Sequence, residues 1–416
     1  MMKTRTAGRG LGAMGLLGAG LLLAGCAGGP TGSAVESPGA ATGLEGMDPV
    51  VLRVALPTTE TATSSLGMKA VADYVREGSD GKIDFEFFYN GTLIPAAESL
   101  PGLSSGVADI GLAVNLWAAD SVPAGSWVDQ LAPSVEAWGF PQVAISNAVQ
   151  SRFAFENDVI REELAGVNIV PLFASATGPF LMLCADPVEG PEDLRGRSVR
   201  VGGEVWGAEV TNLGMSPIFM PGGEVYEGLQ RGVLDCAYMD PNSIVALGLM
   251  EVAKHLALTD GSLSSGTQLA MNKDVWDALP AAAQQLFFDA TIPATVVWAQ
   301  ETMDAYTAVI ENAEEMGVTL APVEELDRLI QQNREVRVND LLASPPSSLE
   351  DPEALHKDFE DVATEWDSLW EEHLGIKRAD KSSLAKTIAA FSMGSEAVDW
   401  EAFEAAITEL LNPVRP

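Results

Sequence analysis

Strand and helix signatures alternate along this chain, and the alternation limits its fold more than any other feature. Val50 to Leu56 is a short β-rich run closed by Pro57. Leu66, Ala70, Val71, Tyr74 and Val75 recur at helical spacing, with Ser64 or Ser65 as the expected cap and Gly78 as the stop. Ile83-Asp84-Phe85-Glu86-Phe87 alternates at the strand period, Asn90-Gly91 turns the chain, Ala96 to Leu103 reads as a helix and Val107 to Val114 as a buried strand. The order β-α-β-α-β implies a parallel sheet covered by helices, because parallel neighbours need a long crossover and a helix supplies it.

The pattern resumes downstream. Asn168 to Phe173, Pro179 to Cys184, Ser198 to Val201, Ile218 to Met220 and Leu234 to Met239 read as strands, with helices at Glu204 to Leu213 and Gly223 to Gly232. From Asp274 to about Trp370 the chain is mostly helical, with kinks expected at Pro280 and Pro293 and one long helix from about Ala281 to Gly317. The expected fold is therefore α/β and bilobal, like that of periplasmic binding proteins, with a hinge, a long connecting helix and a C-terminal helical extension. Its segments are 48–174 for the first part of lobe 1 and 175–260 for the main part of lobe 2. Residues 261–340 return to lobe 1 and link the lobes, and 341–416 form the extension.

The N-terminus carries an address. Lys3, Arg5 and Arg9 precede the apolar run Leu11 to Ala24, which is too short and Gly-rich to span a bilayer. It ends in Leu23-Ala24-Gly25-Cys26, a lipobox, so residues 1–25 read as a signal peptide and Cys26 as the lipidated residue. Residues 26–47, rich in Gly, Ala, Ser, Thr and Pro, read as a flexible tether. The expected location is the outer face of the cytoplasmic membrane or the periplasm.

Charge and side-chain inventory exclude whole classes of function. Asp+Glu number 59 against 24 Lys+Arg, a net charge of -35, which opposes any nucleic-acid partner. GxSxG, HExxH and a Walker lysine are all missing, and His255, His356 and His373 stand near no Cys or second His, so neither catalytic site nor metal site is expected. No cofactor is expected either. Cys184 and Cys236 lie in apolar strand-like runs and are either buried thiols or a cross-strand disulfide.

Five motifs then occur in order: Gly81-Lys82-Ile83 running into Asn90-Gly91-Thr92-Leu93; Gly106-Val107-Ala108-Asp109-Ile110-Gly111; Pro187 to Val201; Pro221 to Asp235; and Glu251 to Thr259. From about Val51 to Leu320 the sequence resembles the solute-receptor component of tripartite ATP-independent periplasmic (TRAP) transporters, DctP type. The resemblance implies that Arg200 pairs with a carboxylate of a small solute, a task suited to its planar, permanently charged fork. It also implies small and large membrane subunits as partners. Departures from the family pattern fall around this arginine. Phe180 stands where sialic-acid binders carry a second arginine, and Gly222 where an aromatic often lies against the solute. Met239 or Asp240 stands where an asparagine contacts it, with Tyr238 beside them. These changes point to a smaller or less polar acid, or to a zwitterion whose amine meets Asp240. Some relatives bridge the carboxylate through a cation, a role open to Asp240. Asn115, Trp117, Glu98 and Trp206 complete the candidate lining, each aromatic being equally at home in a core or hinge. The competing readings are the binding lipoprotein of an ATP-driven importer and a structural envelope lipoprotein.

Overall fold

Two sheets organise the chain. The computed structural model describes residues 41–132, 146–263, 267–374 and 383–415. The expected signal peptide, most of the tether and Cys26 lie outside them. The first sheet is entered by β1 (Val50–Ala55), α1 (Thr63–Gly78), β2 (Ile83–Phe88), α2 (Ser99–Ser104) and β3 (Ile110–Val114). Three helices, α3 (Pro123–Leu131), α4 (Ser146–Glu156) and α5 (Asp158–Gly166), precede β4 (Ile169–Ser175). The chain then crosses to the second sheet through β5 (Leu181–Cys184), β6 (Ser198–Val201), α6 (Glu204–Asn212), β7 (Ser216–Phe219), α7 (Val225–Gln230), β8 (Cys236–Met239), α8 (Pro241–Ala246) and β9 (His255–Ala257). It crosses back to β10 (Thr267–Asn272), followed by α9 (Lys273–Ala278), α10 (Ala281–Asp289) and the 25-residue α11 (Thr291–Glu315). Strand β11 (Thr319–Ala321) rejoins the second sheet, and α12 (Glu324–Ala343), α13 (Pro352–Leu374), α14 (Leu384–Phe391) and α15 (Trp400–Leu411) end the chain.

The sheet orders are β2-β1-β3-β10-β4 and β11-β9-β5-β8-β6-β7. Both are mixed, where the alternating pattern predicts parallel sheets. β10 runs antiparallel to β3 and β4, and β5 runs antiparallel to β8 and β9, while the other pairs are parallel. The exceptions share a cause. Each is the first strand entered after the chain passes from one lobe to the other, so it arrives from the far side with no helical crossover to reverse it.

Local chemistry explains the boundaries. Asn90 and Gly91 take positive φ (57° and 64°) at the expected turn. The serine cap of α1 is a correction: Ala62 is the N-cap, and Ser65 Oγ instead donates to the Thr59 carbonyl at 2.7 Å. The prolines are another. Pro280 is the N-cap of α10 and Pro293 sits in the first turn of α11, where a missing N–H costs nothing, so the expected long helix divides at Ala290.

Leu52, Val54, Ile83, Phe173 and Phe287 centre the first lobe's core. The larger core runs from the second lobe beneath α11 and takes in the C-terminal helices. Phe153 of α4 meets Phe359 of α13 edge-on at 5.2 Å, and Tyr306 of α11 meets Phe391 of α14 at 4.4 Å, all four rings being buried. Among the described residues no helix is long and apolar enough to cross a membrane.

Candidate functional site

Arg200 is the penultimate residue of β6, which lies between β7 and β8 with all three strands parallel. Their carboxyl ends, Val201, Phe219 and Met239, therefore point the same way, the end of an open sheet where ligands collect. Arg200 Nε donates to the Met220 carbonyl at 3.0 Å, which orients the guanidinium. Gly202 passes so close that a Cβ there would sit 3.4 Å from Nη2. Burial lowers the guanidinium's pKa from its ordinary value, and the nearby Asp240 acts the other way. Arg53, Arg76, Arg152, Arg195 and Arg328 all pair with carboxylates. Arg200 has no ion pair among the described residues, although it is partly desolvated. A charge in that condition is one that a ligand carboxylate can compensate.

Asp240 opens a helix. It is the N-cap of α8, accepting from Ser243 N at 3.0 Å and Ser243 Oγ at 2.6 Å. Each oxygen takes one hydrogen bond at the start of the helix, and each keeps a further lone pair. Among the described residues no cluster of acids, histidines or cysteines could hold a metal ion.

Phe180, Trp206 and Tyr238 come together as a stack. Phe180 and Trp206 are near-parallel (6°) with centroids 4.6 Å apart, and Phe180 meets Tyr238 edge-on at 5.8 Å. Their polar ends are used: Trp206 Nε1 donates to the Ser262 carbonyl at 2.7 Å and Tyr238 Oη donates to Glu209 at 3.0 Å. Tyr238 is fully buried, so it presents no hydroxyl to a solute.

On the first lobe, Asn115 directly follows β3 and is buried against Gly125. It hydrogen-bonds Asp129 of α3, while its Oδ1 and one oxygen of Asp129 have no partner among the described residues. Trp117 is 45% exposed and Glu98 is exposed in a short 3-10 turn. The structure thus gathers Arg200, Asp240 and the aromatic trio in one lobe. Asn115 and Trp117 lie at a strand's carboxyl end in the other, and Glu98 joins neither group.

Two motif carboxylates are structural. Asp109 accepts from Arg53 N, Nε and Nη2, and Asp235 accepts from Ser198 N and Oγ. Sequence reading missed a polar junction between the lobes. Buried Glu209 of α6 accepts from Tyr238, from Ser262 N at 3.2 Å and from Ser262 Oγ. Above it α12 sends Arg334 to the Asp260 carbonyl at 2.7 Å and Arg337 to Gln130 of α3 at 3.1 Å. Trp127 of α3 donates to the Leu341 carbonyl at 3.1 Å. Nothing local marks these residues, because segments far apart in the chain bury them. A cavity of about 530 Å³ lies away from Arg200, between β4, α5, α9 and α10 of lobe 1.

Comparison with known proteins adds a family and a fold. Residues 55–337 match the profile of the bacterial extracellular solute-binding proteins, family 7, DctP. The chain is 25% identical over 240 residues to the monocarboxylate 2-oxoacid-binding periplasmic protein of Nostoc sp., covering 56% of this chain and 62% of that protein's length. It is 25% identical over 248 residues to the C4-dicarboxylate-binding periplasmic protein DctP of Rhodobacter capsulatus, covering 56% and 68%. Among solved structures, a Bordetella pertussis extracytoplasmic solute receptor binding pyroglutamic acid superposes with a TM-score of 0.64 at 19% identity, covering 74% of this chain and 99% of that one. A TRAP periplasmic solute-binding protein from Sulfitobacter sp. with bound β-D-galacturonate superposes with a TM-score of 0.61 at 22% identity, covering 75% and 100%.

Proposed function

Since the chain belongs to family 7 of the bacterial extracellular solute-binding proteins, a family of receptors and not of enzymes, we propose that it captures a small carboxylate between its two lobes, anchors it on Arg200 and delivers it to TRAP membrane subunits. Cys26 holds the receptor to the membrane by a lipid. The observation that carries this reading is a partly desolvated guanidinium, with no ion pair among the described residues, at the carboxyl end of β6 between two parallel neighbours. The relatives add support: one is named for 2-oxoacids, one for C4-dicarboxylates, and solved structures hold pyroglutamate and galacturonate, all carboxylates.

The test is isothermal titration of a panel of organic acids into the protein and its Arg200→Ala variant. Removing one partner of a desolvated charge pair costs about 2–5 kcal/mol, so affinity for the bound acid should fall by roughly 30- to 5,000-fold. An acid bound equally by both proteins would leave the receptor standing and dismiss Arg200 as its anchor.

A further inference from the structure

We propose that lobe 1 carries a second binding site, apart from Arg200, for an organic cation with an apolar body. The site is the cavity of about 530 Å³ between β4, α5, α9 and α10, a volume in the range of small-molecule pockets. One wall comes from the end of the chain. Val414 lines the cavity, and Arg415 pairs with Asp289, the last residue of α10, at 2.5 Å. The family profile ends at residue 337, so this wall lies outside what the profile describes.

The walls define the body of the ligand. Phe155 and Phe288 meet at 5.1 Å with their planes tilted by 47°, and Trp276 and Phe287 meet at 6.4 Å and 57°. All four rings line the cavity, over a floor that includes Ile169 and Leu172 of β4. Phe287, Phe288, Ile169 and Leu172 are buried, while Phe155 and Trp276 are half-buried. Such walls hold an apolar body through the area it buries. Aromatic faces are also negative, so they attract a cation and repel an anion.

The charged side chains decide the sign. Asp158, Glu162 and Asp277 line the cavity against Arg161 and Lys273. Each base is already held on its own helix: Arg161 donates to Asp158 at 3.0 Å and Lys273 to Asp277 at 2.5 Å. Glu162 is left over, exposed and in no ion pair among the described residues. An anion would have to displace Asp158 or Asp277 and would still face Glu162. A cation displaces nothing and pairs with Glu162. The chain's net charge of -35 favours the same sign. The occupant is organic and not a bare metal ion, since among the described residues no group of acids could hold one and four rings would add nothing to it.

The experiment titrates hexyltrimethylammonium, 1-hexanol and hexanoate, which share one apolar chain, into the full-length protein. An Arg200→Ala background lets hexanoate report on the cavity alone. The cation should bind about five-fold or more tighter than the alcohol and the acid. Glu162→Gln should weaken it about two- to five-fold, and that loss should vanish at about 1 M salt, where charges are screened within roughly 3 Å. Ala165 is a half-buried position of α5 that lines the cavity. Ala165→Phe fills the space and should weaken the cation about ten-fold or more, through the apolar area it can no longer bury. Ala165→Leu gives the same reading should the ring disturb α5. Hexanol or hexanoate binding as tightly as the cation overturns the inference. So does a cation whose affinity survives both Ala165 variants, or one that does not bind at millimolar concentration. None of these outcomes touches the reading of Arg200.

Discussion

Replacing Asp129 by Asn should stabilise the protein, and by an amount that grows with pH. Asp129 lies in α3 with its carboxyl buried and one oxygen without a partner among the described residues. Burial pushes its pKa up to about 8; the hydrogen bond from Asn115 pulls it down and the charge of Glu163 raises it further. Glu163 is held nearby by the Ala124 and Gly125 N–H groups at 2.7 and 2.8 Å. In the unfolded chain the same carboxyl titrates near 3.8. Between about pH 4 and pH 8 the unfolded state therefore sheds a proton that the folded state keeps, and stability falls throughout that window, levelling off above it. At pH 7 the cost is about 1.36 kcal/mol for each of roughly three units, or about 4 kcal/mol. Asn has the same shape, stays neutral in both states and carries an N–H₂ for the unpartnered Asn115 oxygen. Asp129→Asn should thus match the parent near pH 4 and exceed it by about 2–4 kcal/mol at pH 7. Urea unfolding followed by tryptophan fluorescence at pH 4.5, 6, 7.5 and 9 measures the difference. Two curves that stay parallel, or a variant weaker at every pH, would refute a buried neutral acid at this position.

Two further outcomes follow from packing and covalent closure. Cys184 and Cys236 are directly opposite on β5 and β8 and form a disulfide with a sequence separation of 52 residues. Converting both to Ser should cost about 4 kcal/mol by loop entropy, read as the shift of a urea midpoint under non-reducing conditions; no shift would mean the bond does not form in the protein. Phe403→Ala in α15, a ring 1% exposed and edge-on to Trp400, should cost about 3–5 kcal/mol in the same assay if the extension belongs to one cooperative core. A separate low-stability transition would show it to be an appendage.

Legibility in the sequence followed the range of the interactions. Arg200 enters through the family resemblance alone; the structure adds that it is the penultimate residue of β6 and donates to the Met220 carbonyl, which no local pattern announces. Asp240 carries a local signal, since Asp followed by Pro is how a helix opens, and α8 opens there. The family resemblance over Val51 to Leu320 agrees with the profile match over 55–337. The antiparallel directions of β5 and β10 were not readable, because periodicity reports the faces of a strand and never its direction. The cysteine pair was left open for a similar reason: spacing sets no distance, whereas the register of β5 on β8 does. Glu209 reads as an ordinary polar position of an expected helix, and Asp129 falls in a stretch that carries no clear pattern. Their burial is created by Trp127, Gln130 and α12, which meet across some two hundred residues of chain.

The position of β10 also dictates an order of events in biosynthesis. It sits between β3 and β4, so β4 has no partner in the first sheet until Thr267–Asn272 has been delivered. A nascent chain emerging from its N-terminus completes the strands of the second lobe's centre before the first lobe can zip shut. Closing contacts over such separations are slow. A polypeptide built this way cannot complete its first sheet until nearly two-thirds of its length has been made.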